Sequence, residues 1–269
     1  MQIDLSSRSA LVTGSTSGIG LAIAVGLVRA GATVHVNGRT PERVDQAVAR
    51  IAELAGEGAA ERLVAAPGDI GTAEGCVAIV DALGAVDVLV LNAGAFTPTP
   101  FFEIDDDAWR DVFEINVLGG IRLARAYVPG MVERGWGRVV HVSSESAIQI
   151  PAEMVHYGMS KTAQLAVSRG LAESLPVGSG VTVNAILPGP THTEGVEGML
   201  EAAAAEQGVD VAEAGRRFVA AERPTSLLGR LIEPEEVANL VVYLASEQAS
   251  ATTGAALRVD GGVLRAAIG

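Results

Sequence analysis

The chain has 269 residues but only one cysteine, Cys76, and no apolar run long enough to cross a membrane. A single cysteine cannot form a disulfide within the chain, which indicates a reducing compartment, and we predict the cytoplasm. A membrane-spanning helix needs about 20 consecutive apolar residues. The first residues also show neither the basic nor the apolar region of a secretory signal. We therefore expect no membrane partner.

Basic residues are scarce as well. Lys and Arg together number 19 against 32 Asp and Glu, which gives a formal net charge of −13. Such a surface repels polyanions, so we expect no nucleic-acid partner. Eighteen of the 19 basic residues are Arg, and Lys161 is the only Lys. Lys carries a compact ammonium on a flexible stem, whereas Arg is a planar fork, so Lys161 is expected to have a task that Arg cannot perform.

Short apolar runs alternate with longer helix-like segments along the chain, and 49% of its residues are hydrophobic. Runs without polar alternation are typical of parallel strands that are buried on both faces. The pattern predicts strands at 8–14, 32–37, 62–66, 86–92, 138–143, 181–187 and 255–260. It predicts helices at 19–30, 41–54, 73–83, 106–134, 155–175 and 233–245. We therefore predict a single α/β domain over residues 1–269, a doubly wound parallel sheet of the Rossmann type with helices on both faces.

Residues 190–224 follow a predicted strand directly and are helix-prone. Open α/β sheets bind their ligands at the carboxyl ends of the strands, so we interpret this segment as a lid over a substrate pocket. A surface insertion without a role in binding is the alternative.

A glycine-rich turn lies between the first predicted strand and the first predicted helix. It contains Gly14, Gly18 and Gly20, in the spacing Gly-x-x-x-Gly-x-Gly. Glycines permit positive φ and let backbone N–H groups approach a pyrophosphate, which the N-terminus of a helix also favours. The turn therefore predicts a nucleotide-binding site.

Three further motifs follow this turn in chain order: Asn92-Ala93-Gly94, the pair Tyr157 and Lys161 as Tyr-x-x-x-Lys, and Pro188-Gly189. With them the chain resembles the short-chain dehydrogenase/reductase family over essentially its whole length, and is similar to its 3-oxoacyl-carrier-protein reductase-like members. The resemblance implies a sheet of seven parallel strands, a nicotinamide cofactor and a homotetramer. It places the cofactor against Gly14, Ser15, Ser17, Gly18, Ile19, Gly20, Asn37, Arg39, Thr40, Asp69, Ile70, Asn92, Ala93, Gly94, Tyr157, Lys161, Pro188, Gly189, Thr191 and Thr193.

The end of the second predicted strand bears on the choice between NAD and NADP. NAD-binding folds of this kind place Asp or Glu there, against the ribose hydroxyls. Here the segment 36–40 has no carboxylate, and Arg39 is positioned to hold a 2′-phosphate, with Thr40, Ser15 or Asn37 adding neutral contacts. We predict NADP, with a solvated Arg39 as the alternative. Asp69 matches the family's adenine-contacting Asp, although a carboxylate there also suits a helix cap.

Tyr157 and Lys161 are four residues apart on a predicted helix and share one face. An ammonium near a phenol favours the phenolate, so we expect Lys161 to lower the pKa of Tyr157 and make it a general acid/base. Ser144 lies thirteen residues before Tyr157, the family's spacing, and is preferred to Ser143 as the group that hydrogen-bonds the substrate oxygen. Asn116 matches the family's fourth catalytic residue, which holds a water in a proton relay, and a structural role is its alternative.

The substrate stays open between a 3-oxoacyl thioester and a small polyol or sugar-type alcohol. The residues expected around the pocket are polar: Glu145, Gln149, Glu153, His156, His192 and Glu194. An NAD-dependent alcohol or polyol dehydrogenase and a non-catalytic nicotinamide-binding sensor are the alternative functions. Such sensors usually lose the Tyr, Lys or Ser, and all three are present. The four histidines have no metal-ligand spacing, so no metal site is predicted.

Overall fold

The predicted strands place successive side chains on opposite faces of one sheet. In the first strand, β1 (Ser9–Val12), Ala10 and Val12 join one apolar core, and Leu11 joins the other. The same alternation recurs in residues 88–91. A sheet covered on both faces requires this period of two.

The computed structural model describes residues 3–267, and within them the strands form one parallel sheet. After β1 come β2 (Thr33–Gly38), β3 (Leu63–Pro67), β4 (Val88–Leu91), β5 (Gly137–Val142), β6 (Val181–Pro188) and β7 (Ala256–Val259). Their order across the sheet is β3-β2-β1-β4-β5-β6-β7, and every pairing is parallel. The predicted seven-stranded, doubly wound sheet is confirmed. The strand order reverses between β1 and β4, where such folds open a ligand crevice.

Helices cover both faces of the sheet. In chain order they are α1 (Gly18–Arg29), α2 (Pro41–Ala55), α3 (Ala73–Leu83), α4 (Asp106–Phe113), α5 (Gly119–Glu133), α6 (Val155–Ser174), α7 (Glu194–Gln207), α8 (Val211–Glu222) and α9 (Pro234–Leu244). Helices α1, α2 and α9 pack on one core, while α3, α5 and α6 pack on the other. Across residues 3–267, every helix falls short of the length and apolar character needed to cross a membrane.

The predicted helix 106–134 is present but interrupted. Between α4 and α5 the segment Glu114–Leu118 forms one π-helical turn, which contains Asn116. Single π turns inside helices occur frequently at functional sites. The turn widens the helix at the point where it passes the carboxyl end of β4.

The segment 190–224 contains α7 and α8, which pack on each other through a small apolar cluster of Leu200, Val219 and Leu231. This cluster is separate from the two cores of the sheet. The segment therefore forms a helical hairpin beside the carboxyl ends of the strands, and its role as a lid stays a prediction.

Candidate active site

The turn between β1 and α1 follows a backbone path that suits only glycine. Gly14 and Gly18 have φ of 61° and 53°, in the left-handed region. A side chain on Gly20 would collide with the carbonyl oxygen of Gly14. The turn therefore brings backbone N–H groups to the rim of a long cleft of about 440 Å³, at the N-terminus of α1. This is the arrangement that binds phosphate groups.

Most of the residues predicted to bind the cofactor line this cleft, because the carboxyl ends of β1 to β4 meet at one edge of the sheet. They are Gly14, Ser17, Gly18, Ile19, Gly20, Asn37, Arg39, Asp69, Ile70, Asn92, Ala93, Gly94 and Thr193.

Two asparagines hold the loops around the cleft together. The Nδ2 of Asn37 donates to the carbonyl oxygens of Ala66 and Gly68, at 2.9 and 3.1 Å, and its Oδ1 accepts from the N–H of Gly14 at 3.2 Å. The Nδ2 of Asn92 donates to the carbonyl oxygen of Gly14 at 3.1 Å. Both side-chain amides are engaged with backbone groups, so they shape the cleft more than they offer contacts to a ligand.

Ser15 lies in the glycine-rich turn but is buried. It has no exposed surface, its hydroxyl donates to the carbonyl oxygen of Val12 at 2.8 Å, and it accepts from the N–H of Asn37 at 3.0 Å. Ser15 is not among the residues that line the cleft, and its contact with a cofactor stays a prediction. Its neighbour Thr16 lines the cleft instead.

Two arginines lie near the end of β2. Arg39 is exposed and lines the cleft, and Arg43 lines it one turn further along, on α2. Thr40 caps α2, its hydroxyl accepting from the N–H of Arg43 at 3.4 Å, as its place before Pro41 predicts. Arg43 was not predicted as a cofactor contact, although its distance of four residues from Arg39 is a usable signal in the sequence. Two guanidinium groups thus border the same part of the cleft.

Glu194 does not lie where the sequence analysis expected it. Instead of the substrate pocket, it occupies the glycine-rich turn, where its Oε2 accepts from the N–H of Gly18 at 2.8 Å. Its Oε1 also forms an ion pair of 3.1 Å with Arg50 of α2. The first residue of α7 therefore places a carboxylate on the amide at the N-terminus of α1, a position that favours anions.

A second cavity, of about 170 Å³, lies at the carboxyl ends of β5 and β6. Its polar lining includes Ser144, Glu145, Tyr157 and Arg223. Its apolar lining consists of Phe96, Met154, Val196, Phe218 and Leu231. Residues that follow β5, residues of α6 and residues of the 190–224 segment thus face one cavity.

The two serines at the end of β5 point in different directions. The hydroxyl of Ser143 donates to the carbonyl oxygen of Lys161 at 2.9 Å, away from the cavity. The hydroxyl of Ser144 faces the cavity, donates to Oε2 of Glu145 at 2.6 Å and accepts from the N–H of Ser146 at 3.1 Å. This geometry favours Ser144 over Ser143 as the group that faces a substrate.

Glu145 and Arg223 form a buried ion pair in the wall of the cavity. Their Oε1 and Nε atoms lie 2.8 Å apart, and the two side chains are only 5% and 12% exposed. Sequence analysis gave no sign of this pair, because 78 residues separate its members. Only the return of the chain after α8 brings Arg223 beside the end of β5.

Tyr157 and Lys161 lie together as predicted, but their pKa values differ from the expectation. Burial raises the pKa of Tyr157 to about 12; the charge of Glu145 adds to this, while Ser144 and Arg223 oppose it. Burial also lowers the pKa of Lys161 to about 8. Its Nζ donates to the carbonyl oxygen of Val142 at 2.9 Å and lies 5.5 Å from the centre of the Tyr157 ring. The expected lowering of the pKa of Tyr157 by Lys161 is wrong for this structure, since burial outweighs the neighbouring charges.

Asn116, in the π-helical turn, clamps the loop that follows β4. Its Oδ1 accepts from the N–H of Ala95 at 2.7 Å, and its Nδ2 donates to the carbonyl oxygen of Ala95 and to the hydroxyl of Ser160, both at 2.9 Å. The structural role considered from sequence is therefore present. The proton relay stays a prediction.

The Pro188-Gly189 turn lies at the end of β6, beside the smaller cavity. A side chain on Gly189 would meet the backbone of Asp260, and Gly189 lines the smaller cavity together with Thr191. Thr191 is buried and donates to the carbonyl oxygen of Gly189 at 2.9 Å. Asp260 accepts from the N–H groups of Gly262 and Leu264, and so holds the turn after β7 in place.

Within the described residues 3–267, no three His, Cys, Asp or Glu side chains cluster in a way that could hold a metal ion. The cleft, by contrast, suits a dinucleotide. It joins a glycine turn without room for side chains to a pair of arginines, and a Cβ on Gly94 would come within 3.4 Å of both Asn116 and Lys161. This fold and cleft define a dinucleotide-binding protein of the Rossmann type.

Comparisons with known proteins identify the family. A family model described as enoyl-(acyl carrier protein) reductase matches residues 14–264. The chain is 48% identical to the uncharacterized oxidoreductase YvaG of Bacillus subtilis, covering 98% of this chain and 99% of that protein. It is 34% identical to an acetoacetyl-CoA reductase of Rhizobium meliloti, over 95% of this chain and 98% of that one.

A solved structure of similar shape is L-sorbose reductase from Gluconobacter frateurii, complexed with NADPH and L-sorbose. It superimposes with a TM-score of 0.90 at 32% identity, covering 99% of this chain and 100% of that chain. The chain belongs to the short-chain dehydrogenase/reductase family and is an NAD(P)-dependent dehydrogenase/reductase.

Proposed function

We propose that the chain is an NADP(H)-dependent oxidoreductase that interconverts a secondary alcohol and a carbonyl, with Tyr157 as general acid/base. The observation that carries the proposal is that Ser144 and Tyr157 line one cavity at the carboxyl ends of β5 and β6, and that Lys161, on the same helix as Tyr157, is buried. A bound nicotinamide would supply or accept the hydride. The protein groups then have to hold the carbonyl oxygen and move one proton.

Tyr157 is suited to donating that proton. Because burial raises its pKa to about 12, the phenol is fully protonated at neutral pH. It can therefore give its Oη proton to a carbonyl oxygen as hydride arrives, and it must recover the proton afterwards. Ser144 adds a hydroxyl that hydrogen-bonds the same oxygen.

The preference for NADP rests on Arg39 and Arg43. Two guanidinium groups at the end of β2 provide charge-assisted hydrogen bonds to a 2′-phosphate, each worth about 1.5–3 kcal/mol. A carboxylate that would repel the phosphate is missing from the segment 36–40. The similarity to a reductase complexed with NADPH supports the same choice.

Titration with NADPH and NADH, followed by cofactor fluorescence, tests this preference. We expect NADPH to bind more tightly than NADH. Arg39→Ala should raise the Kd for NADPH about tenfold and leave the Kd for NADH unchanged. Equal or tighter binding of NADH would refute the clamp and support the alternative of an NAD-dependent alcohol or polyol dehydrogenase. Binding without turnover of any probe would support the alternative of a non-catalytic sensor.

Two substrate classes stay under consideration, and the relatives supply a probe for each. Acetoacetyl-CoA represents the 3-oxoacyl thioesters, and L-sorbose represents the sugar-type carbonyls. The cavity offers an apolar wall for an acyl chain and the Glu145–Arg223 pair for hydroxyl groups. Oxidation of NADPH with each probe in turn, under matched conditions, separates the two classes.

We also propose that the enzyme is a homotetramer and works in the cytoplasm. An apolar groove of about 550 Å³ runs between α5 and α6 on the outer face of the domain, and it supports assembly there. The buried, unpaired Cys76 is compatible with a reducing compartment. Light scattering should give about four times the chain mass of 27.5 kDa, and a monomer would refute the assembly.

A further inference from the structure

The wall of the smaller cavity contains a chain of contacts that the general acid/base does not explain. Ser144 has one hydroxyl hydrogen, and it is donated to Oε2 of Glu145 at 2.6 Å. The other oxygen of Glu145 binds Nε of Arg223 at 2.8 Å. The hydrogen that a substrate oxygen would need is therefore held by a neighbouring carboxylate.

The position of Arg223 connects this contact to the 190–224 segment. Arg223 lies directly after α8, and its Nη1 donates to the carbonyl oxygen of Glu222 at 2.8 Å. Its side chain is only 12% exposed and contacts Glu145 in the wall of the cavity. A charge this far from water attracts its partner strongly, so Arg223 fixes Glu145 and offsets its negative charge.

We propose that Glu145 and Arg223 are positioning residues that control where the Ser144 hydrogen points, and that they couple the 190–224 segment to the reacting centre. The proposal rests on the function proposed above. When Arg223 is in place, the carboxylate is partly neutralised and holds the hydrogen of Ser144 less tightly. The hydroxyl can then turn to a carbonyl oxygen or to the oxygen of Tyr157. Without Arg223, the uncompensated carboxylate retains the hydrogen.

The groups that face Tyr157 come from several elements. Lys161 lies on the same helix, Ser144 and Glu145 follow β5, and Arg223 follows α8. Phe96, from the loop after β4, contacts the Tyr157 ring edge-on at 5.8 Å and carries no charge. Removing Glu145 or Arg223 should therefore move the titration of Tyr157 in opposite directions.

The neighbouring acidic and basic side chains provide controls. Glu153 lies 4.0 Å from Arg223 but is half exposed, so its charge is screened by solvent. His156, next to Tyr157 in sequence, packs against the ring of Trp109 instead of the cavity. Glu153→Gln removes an acidic charge near the pair while leaving the contact with Ser144 intact.

The test is an ultraviolet titration of tyrosinate in the full chain, with the spectrum of the Tyr157→Phe variant subtracted so that only Tyr157 is observed. This readout needs no substrate, so it stands even if the proposed function fails. We expect Glu145→Gln to lower the midpoint by about one pH unit, since the carboxylate is gone and the Ser144 hydrogen is free. Arg223→Gln should raise it, and the double variant should lie between the two.

Two further variants separate positioning from simple charge. In a Ser144→Ala background the shift in the titration midpoint caused by Glu145→Gln should be smaller by at least half, because the Ser144 hydroxyl that links Glu145 to Tyr157 is missing. At the neutral pH of the turnover assay Arg223→Lys keeps the charge and should retain most of kcat, and Glu153→Gln should leave the midpoint of the titration unchanged. If Glu145→Gln has the same effect with and without Ser144, or has none, the positioning role is refuted.

Turnover provides the second readout, with NADPH and whichever of L-sorbose or acetoacetyl-CoA is reduced. Arg223→Gln should lower kcat at least tenfold with a smaller change in KM, and adding Glu145→Gln should recover most of the loss. If the pair has only a structural role, the kcat of the double variant should be no higher than that of either single variant. Absence of turnover in the wild-type chain would count against the proposed function, whereas the titration would still decide the role of the pair.

Discussion

Replacing Glu194 with Gln should tighten the binding of nicotinamide dinucleotides. The carboxylate of Glu194 sits 2.8 Å from the N–H of Gly18, the amide at the start of α1 that a pyrophosphate would use. A ligand phosphate must displace this side chain before it can bind. The Gln side chain has nearly the same shape but no charge, so it yields the amide more easily and does not repel the phosphate.

The size of the effect follows from the contacts that Glu194 makes. A hydrogen bond to a charged group contributes about 1.5–3 kcal/mol net. The side chain is 42% exposed, so solvent screens its charge and the lower end of that range applies. Its ion pair with Arg50, also largely exposed, adds less than about 1 kcal/mol. We therefore expect a gain of about 1 kcal/mol, or roughly a fivefold lower Kd.

The assay is fluorescence titration of NADPH and NADH against wild type, Glu194→Gln and a matched control, Glu197→Gln. Glu197 is an exposed acidic residue in the same first turn of α7. Both cofactors carry the pyrophosphate, so both should bind more tightly to Glu194→Gln, whereas the control should behave as wild type. Weaker or unchanged binding in Glu194→Gln would show that the carboxylate does not compete for the turn. An equal gain in affinity in the control would show that the effect arises from the change in net charge and not from the contact with Gly18.

Three other predictions follow from the site. Lys161→Met should raise the free energy of unfolding at pH 7 by about 1–2 kcal/mol. Lowering the pKa of a buried Lys from 10.5 to about 8 corresponds to a cost of about 3 kcal/mol for keeping its charge in the folded chain. The hydrogen bond that the variant loses offsets part of this gain. Between pH 8 and 10.5 the unfolded wild-type chain binds more protons at this site than the folded one, so the stability of the wild type rises with pH. Urea titrations at pH 10 should therefore show a smaller difference in stability between wild type and variant than at pH 7. A wild type more stable than the variant at pH 7 would contradict the reasoning. Tyr157→Phe should lower kcat by at least about 100-fold with a much smaller change in the Kd for NADPH, measured by fluorescence, and retained turnover would show that Tyr157 is not the acid. Arg43→Ala should raise the Kd for NADPH about tenfold and leave the Kd for NADH unchanged. If the Kd of both cofactors rises equally, Arg43 does not contact the 2′-phosphate.

The limits of sequence reasoning are clearest at Ser15, Arg43 and Asn37. Ser15 lies in the glycine-rich turn, and Asn37 and Arg43 lie at or just after the end of β2, yet the sequence pattern does not say which of these side chains face the cleft. Ser15 turns under the loop and binds Val12, while Arg43 reaches the cleft from α2. A backbone turn fixes its own path, but the direction of each side chain depends on the hydrogen bonds offered by neighbouring strands. Asn37 illustrates this, since its amide is taken by residues on the next strand.

The sequence by itself determined the sheet, the nucleotide turn and the pair Tyr157 and Lys161, because strand burial, glycine conformation and helical spacing are local properties. Tertiary structure alone decided the contacts of Glu145 with Arg223 and of Glu194 with Gly18, since both join residues that are far apart in the chain. It also reversed the expected direction of the pKa of Tyr157. The cost of moving a phenolate out of water depends on everything packed around it, and no local pattern in the chain encodes that enclosure.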